Sequence, residues 1–148
     1  MEKLPQDFRE FLKLLSVHEA RHLVVGGYAV ALHGFSRYTG DIDVWVDATE
    51  ENALRIVNAL TDFGFEASEL DCAVFSVPDQ IIRFGVEPTR IEILTGISGV
   101  EFGQCFPNRV IQQMDDLDVP FLSLHDLRAN KEAAGRPKDL LDLDNLPE

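Results

Sequence analysis

The segment 41–47 has the sequence DIDVWVD, in which acidic or aromatic residues alternate with branched apolar ones. This period of two predicts a β-strand, because successive side chains of a strand point to opposite faces. One face carries Ile42, Val44 and Val46, and the other begins with the carboxylates of Asp41 and Asp43. Two carboxylates at this spacing repel each other unless a cation lies between them or one is protonated. The pattern therefore indicates either a site for a divalent ion or an acidic strand end in solvent.

Two glycines stand upstream of this strand. Gly26 and Gly27 follow the apolar segment 23–25, which predicts a short strand, and precede a helical pattern over 28–33. Backbone N–H groups at the start of a helix can bind phosphate, and a residue without Cβ lets a ligand approach the backbone closely. The pair is also typical of a tight turn. Together with the acidic strand it favours a phosphate site.

A third acidic residue, Glu92, lies in the segment RIEIL over 90–94, between two isoleucines. Its carboxylate is either an exposed strand position or a third metal ligand, because Mg²⁺ prefers oxygen ligands and two-metal sites use several carboxylates. Glu87 and Glu101 are interpreted as loop residues, since they lie near Pro88 and Gly103.

The remaining pattern predicts an α/β (α+β) fold with a mixed β-sheet flanked by helices. We expect one domain over residues 1–148, with a core at about 20–122 and a short helical C-terminal tail at about 123–148. Helices are predicted over 5–18, 28–33, 50–62 and from Ser123 to Gly135, with a last one opening at Pro137. Further strands are predicted over 73–77, 81–86, 90–95 and 109–114, and a turn over 115–118.

Composition limits the classes of partner. The chain has 13 basic and 26 acidic residues, so its net charge of −13 argues against a broad nucleic-acid-binding surface. A local groove that binds nucleic acid is not excluded, because Arg128, Lys131, Arg136 and Lys138 form a basic cluster. No apolar run approaches the roughly 20 residues of a membrane span, and the N-terminus lacks the pattern of a signal peptide. We therefore expect a cytoplasmic protein that does not cross a membrane.

The segment GGYAVALHGFSRYTGDIDVWVD resembles the signature of the nucleotidyltransferase superfamily, which has the DNA polymerase β-like fold. The arrangement is similar to a small bacterial branch that includes the AbiEii-type toxins. The segment RIEILTGISG and the tail DLRANKEAAGRPKDLLDLDNL extend the resemblance over most of the chain.

This resemblance implies a metal-dependent nucleotidyltransferase that moves a nucleoside monophosphate from a nucleoside triphosphate (NTP) to an acceptor. Asp41, Asp43 and Glu92 would be catalytic residues and would bind Mg²⁺ or Mn²⁺. The nucleotide-binding residues would be Gly26, Gly27, Arg37, Thr39 and Lys131. A solvated helix lysine is the alternative for Lys131. Asp139 is expected to cap the last helix or to pair with Arg136.

Two departures from the superfamily pattern leave the acceptor open. The third acid is a glutamate where an aspartate is more usual, and no substantial helical domain follows the tail. RNA, a protein and a small molecule all remain candidate acceptors, and we expect that a partner protein or a homo-oligomer could complete the site. The alternative function is a nucleotide- or partner-binding protein of the same fold without turnover, for example one half of a toxin–antitoxin-like pair.

The segment HEARH over 18–22 matches the zinc-binding HExxH pattern, in which two histidines share one helical face. We interpret it as a chance match, because it lies where a helix gives way to a strand.

Overall fold

The computed structural model describes residues 4–148, which fold around a six-stranded sheet. The strands are β1 (His22–Val25), β2 (Asp41–Val46), β3 (Ile81–Phe84), β4 (Arg90–Leu94), β5 (Val110–Met114) and β6 (Leu117–Phe121). Their spatial order is β3-β4-β2-β1-β6-β5. The sheet is mixed, since β2 is parallel to β4 and antiparallel to β1.

Helices accompany this sheet. They are α1 (Gln6–Val17), α2 (Gly26–Leu32), α3 (Glu50–Phe63), α4 (Phe102–Cys105), α5 (Leu124–Ala134) and α6 (Pro137–Asn145). The predicted fold class, a mixed sheet with flanking helices and a helical C-terminal tail, is confirmed. None of the described helices is long and apolar enough to cross a membrane.

Strand β2 lies in the hydrophobic core. Ile42, Val44 and Val46 are fully buried, as the alternating pattern predicts. Trp45, on the opposite face, is also buried, and its ring packs edge-on against Phe102 of α4 with the ring centroids 5.1 Å apart. Apolar packing therefore surrounds most of β2, and Asp41 and Asp43 lie where that packing ends.

Helix α3 begins and ends at the residues that the sequence indicates. The Thr49 side chain accepts a hydrogen bond from the Asn52 amide at 3.1 Å, and Gly64 follows the helix with a φ of 127°. Positive φ is readily adopted only by glycine. The helix packs on α1, where the rings of Phe11 and Phe63 meet edge-on at 5.8 Å.

Two predictions between residues 67 and 121 are wrong. The predicted strand 73–77 is a 3₁₀ helix, Cys72–Ser76, because the Asp71 side chain accepts a hydrogen bond from the Ala73 amide and so caps a helical turn. The predicted turn 115–118 is shorter, and Leu117 already begins β6. Pro120, which has no backbone N–H group, is tolerated in β6 because the residues that pair β6 with β1 are Phe121 and Val24.

Smaller differences concern helix ends and the HEARH segment. Helix α2 begins at Gly26 rather than two residues later, and α4 was not predicted. His18 is the residue after the end of α1, whereas His22 opens β1. The two histidines therefore do not share a helical face, as expected. His22 instead uses its Nδ1 in a 2.7 Å hydrogen bond with the Ala20 carbonyl.

Candidate active site

The three predicted acidic residues meet on one face of the sheet. In the parallel pairing of β2 with β4, Asp43 lies opposite Glu92 and Asp41 lies opposite Arg90. Paired residues on neighbouring strands point to the same face, and such strands are about 4.8 Å apart. Since Asp41 and Asp43 are two residues apart in one strand, all three carboxylates share this face.

Two arginines also lie against these carboxylates. Arg90 donates hydrogen bonds from Nε and Nη2 to the two carboxylate oxygens of Asp41, at 3.0 and 2.9 Å. Its Nε is also 3.7 Å from Glu92 Oε1. Arg83 of β3 donates from Nε to the same Glu92 oxygen at 2.9 Å. In this arrangement no three histidine, cysteine or acidic side chains among residues 4–148 have metal-ligating geometry.

Asp43 is the most perturbed of the three acids. Burial raises the pKa of its carboxyl to about 7, assisted by repulsion from Glu92, a hydrogen bond with Glu92 and repulsion from Asp41. The positive charge of Lys138 acts in the opposite direction. Asp43 Oδ1 is buried without a hydrogen-bond partner in the described chain. A carboxyl group with one unpaired buried oxygen between two other acids can accept a cation in place of its proton.

The two glycines at the start of α2 have a steric role. Gly26 has a φ of 64°, and a Cβ atom there would overlap the Asp43 carboxylate. A Cβ on Gly27 would lie 2.8 Å from Thr39 Oγ1. Side chains at these two positions would therefore displace Asp43 and Thr39. The Gly-Gly pair lets the side chains of Asp43 and Thr39 pack directly against the first residues of α2.

The segment 37–39 is held in place from two sides. Thr39 Oγ1 donates to the Asp41 carbonyl at 3.0 Å. Arg37 donates from Nε and Nη2 to the two carboxylate oxygens of Asp142 in α6, both at 3.0 Å. The structure therefore places Thr39 beside the backbone of Asp41 and Arg37 against Asp142, which was not predicted to belong to the site.

Lys131 belongs to a buried ion-pair network between α5 and α6. Its Nζ lies 3.1 Å from Asp142 and 3.3 Å from Asp139, and all three side chains are at most 6% exposed. Asp139 also accepts from Arg136 Nε at 2.7 Å and from the Arg136 backbone amide at 3.1 Å, which confirms the predicted cap and pair. The alternative of a solvated helix lysine is wrong for Lys131.

The pKa values of Asp139 and Asp142 follow from these contacts. Burial raises each pKa, but hydrogen bonds from Arg136 to Asp139 and from Arg37 to Asp142, with the contribution of Lys131, lower both below the ordinary value. Both residues are therefore carboxylates at neutral pH, and the network fixes α6 beside the segment 37–39.

A cavity of about 660 Å³, called here the charged cavity, joins these elements. Among its lining residues are Gly26, Gly27, Arg37, Thr39, Asp41, Asp43, Glu87, Lys131, Arg136 and Lys138. All predicted site residues except Glu92 line it, and Glu92 lies beside Asp43 on the neighbouring strand. Glu87 is an exposed loop residue, 3.6 Å from Arg90 Nη2.

Sequence reasoning missed three charged groups of this site. Arg90 could have been found, because it lies two residues before Glu92 in the same strand and so points to the same face. The positions of Arg83 and Asp142 depend on strand register and helix docking, which the local pattern does not specify. Lys138, which the sequence analysis assigned to the basic cluster, lines the charged cavity.

Residues 2–146 match the family described as "Nucleotidyltransferase of unknown function (DUF6036)", and the chain belongs to this family. The match supports the resemblance to the nucleotidyltransferase superfamily, and it names neither an acceptor nor the AbiEii-type branch. No curated protein matches the chain.

Proposed function

We propose that the protein transfers a nucleoside monophosphate from an NTP to an acceptor, with Asp41, Asp43 and Glu92 holding Mg²⁺ or Mn²⁺. The observation that carries this proposal is the buried, unpaired Oδ1 atom of Asp43 beside two further carboxylates. The donor set fits the metal, since hard divalent ions take carboxylate oxygens as ligands. When bound, the ion would neutralise phosphate charge and polarise the phosphoryl oxygens.

In this proposal the side chains and backbone of the cavity position the substrate and supply fixed charges beside its phosphates. Arg37, Thr39 and the backbone at Gly26 and Gly27 form the wall of the charged cavity against which the triphosphate lies. Lys131 contributes from its buried position by keeping Asp142, and through it Arg37, in place. Positioning and fixed charge account for most of the catalysis in phosphoryl transfer.

The proposed reaction is one displacement at the α-phosphorus. The acceptor oxygen forms a bond to this phosphorus, and the bond to the oxygen that bridges the α- and β-phosphates breaks, so that pyrophosphate leaves. A carboxylate oxygen of Glu92 accepts the proton of the acceptor hydroxyl. RNA, a protein side chain and a small molecule are the candidate acceptors, and the AbiEii-type branch is the group of relatives that the motif and the tail favour.

One observation favours the alternative, a nucleotide- or partner-binding protein without turnover. Arg90 and Arg83 already neutralise Asp41 and Glu92 in this structure. A protein whose acids remain paired with its own arginines would bind a nucleotide or a partner chain, such as the other half of a toxin–antitoxin-like pair, and would not turn over.

The deciding experiment follows the α-phosphate. The purified protein is incubated with Mg²⁺ or Mn²⁺, each α-³²P NTP and a cell lysate, and label is then measured in the RNA, protein and small-molecule fractions. The matched control is the Asp41→Asn/Asp43→Asn variant. Label that depends on both aspartates supports the transferase, and NTP binding without label supports the alternative. Absence of both NTP binding and label would contradict the transferase and nucleotide binding, and would leave binding of a partner chain as the function.

A further inference from the structure

A second cavity adjoins the charged cavity and differs from it in chemistry. This second groove, of about 630 Å³, has the segment 37–39, Tyr28, Leu32, Ser36, Pro88 and Gln112 in its lining. The segment 37–39 lines both cavities and is their common wall. A ligand that reaches across this segment would therefore contact both.

The charge distribution of the two cavities is complementary to a ligand with two unlike parts. Aspartates, a glutamate, arginines and lysines line the charged cavity. Arg37 is the single charged residue among those that line the second groove in the described chain. The groove has aromatic and aliphatic side chains together with the neutral polar groups of Ser36, Thr39 and Gln112. Such a lining suits a planar, uncharged part of a ligand, because the apolar faces bury it and the polar groups fix its orientation.

Tyr38 is the most exposed aromatic residue that lines the groove. Its residue is 77% exposed. The backbone on either side of it is held, because Arg37 is fixed to Asp142 and Thr39 to the Asp41 carbonyl. A large aromatic ring on a fixed backbone at the rim of a cavity can stack on a flat ligand with only its own side-chain torsions to be ordered.

Tyr28 supplies a second ring in the lining of the groove. Its ring is half-buried and packs edge-on against Phe8, with the centroids 5.9 Å apart. Aliphatic carbons of Leu32 and Pro88 also line the groove. The groove thus offers faces on which a planar ring can pack, and Gln112 offers an amide that can donate to or accept from a polar ring edge.

We propose that the second groove binds a nucleobase stacked on Tyr38, while phosphates attached to the same ligand lie in the charged cavity. The placement of the phosphates rests on the proposed function, whereas binding of the base to the groove can be tested alone. The base belongs either to the NTP or to a nucleotide of the acceptor, since both have the same aromatic and phosphate chemistry.

The experiment measures binding by isothermal titration calorimetry for wild type, Tyr38→Ala and Tyr38→Phe. The probes are the four NTPs, inorganic tripolyphosphate, the four free nucleosides and a trinucleotide of RNA, each with Mg²⁺. Leu54→Ala is the matched surface control, because Leu54 is 57% exposed on α3 and lines neither cavity. Loss of one base–aromatic stack is expected to weaken binding about tenfold in Tyr38→Ala. Tyr38→Phe keeps the ring and is expected to bind as wild type.

The arms of the experiment separate the two sources. If Tyr38→Ala binds an NTP more weakly than wild type does, with unchanged tripolyphosphate binding, the groove is assigned to the base of the NTP. Weaker binding of the trinucleotide alone assigns it to the acceptor. Equal affinity of wild type and Tyr38→Ala for every base-containing probe overturns the proposal. If nucleoside binding depends on Tyr38 but neither tripolyphosphate nor NTPs bind better than nucleosides, binding of a base in the groove is confirmed and the proposed function is contradicted.

Discussion

Arg90 binds Asp41 through two parallel hydrogen bonds, from Nε to Oδ1 at 3.0 Å and from Nη2 to Oδ2 at 2.9 Å. Both oxygens of one predicted metal ligand are thus occupied by a guanidinium group of the same chain. Two-bond arginine–carboxylate pairs are among the stronger polar contacts in proteins. A divalent ion at Asp41 therefore competes with Arg90, and binding of the ion requires that the guanidinium move aside.

Replacing Arg90 by glutamine is expected to strengthen the binding of Mn²⁺ to the nucleotide-free protein about tenfold, because one charge-assisted competitor is removed. Electron paramagnetic resonance of free Mn²⁺ measures this affinity directly. Arg55→Gln is the matched control, since Arg55 pairs with Glu51 on the surface of α3. Equal Mn²⁺ affinity in Arg90→Gln and wild type would contradict this competition between Arg90 and the ion at Asp41.

A side chain at Gly26 is expected to be costly for two separable reasons. Gly26→Ala introduces a Cβ atom at a φ of 64° and also displaces the Asp43 carboxylate. Gly135→Ala has nearly the same φ, 63°, with no atom closer than 3.7 Å, so it measures backbone strain alone, about 1 kcal/mol. We expect urea denaturation to give a clearly larger loss in the free energy of unfolding for Gly26→Ala than for Gly135→Ala. Adding Asp43→Ala to Gly26→Ala should recover most of the excess, since the carboxylate is removed and only the Asp43 Cβ, at 3.1 Å, remains close. Additive effects of the two changes would contradict the overlap.

The Asp43 carboxyl predicts a pH dependence of stability in the absence of metal. Its pKa is raised from 3.8 to about 7 in the folded chain. The folded state therefore holds a proton that the unfolded state has released, so this contribution is fully present below pH 3.8 and is lost as the pH rises through about 7. Asp43→Asn has no such loss. Urea denaturation at pH 5 and pH 8 should show a larger stability gain for Asp43→Asn at pH 8, and an equal gain at both values would contradict the raised pKa.

Lys131 is expected to matter for stability more than any exposed lysine. Lys131→Met leaves the carboxylates of Asp139 and Asp142 buried beside an apolar side chain, and breaking a buried ion pair by removing one partner costs about 3–5 kcal/mol. Lys13→Met, on the exposed side of α1, is the control and should be near neutral. Thermal and urea unfolding measure both. Adding Asp142→Asn to Lys131→Met should restore part of the loss, while a loss similar to that of Lys13→Met would contradict the network.

The acids of the site could be predicted because they follow from local periodicity. Alternation in 41–47 and in 90–94 fixes the faces of Asp41, Asp43 and Glu92, and a parallel pairing of the two strands brings those faces together. The pair of Arg83 with Glu92 could not be predicted in the same way, because the position of Arg83 depends on the register of β3 against β4. The buried ion pairs of Lys131 could not be predicted either, since Asp139 and Asp142 become its neighbours only when α6 docks on α5.

The parallel pairing of β2 with β4 has a kinetic consequence. Asp41 and Arg90, which face each other across this pair, are 49 residues apart in the chain, and α3 and β3 lie between them. Contacts at such separation require closure of a long loop, and folds rich in them form slowly. A partly folded chain therefore presents no complete site. A ligand held by both strands acts on the native state alone, so it slows unfolding and lengthens the lifetime of the folded chain without making the chain fold sooner.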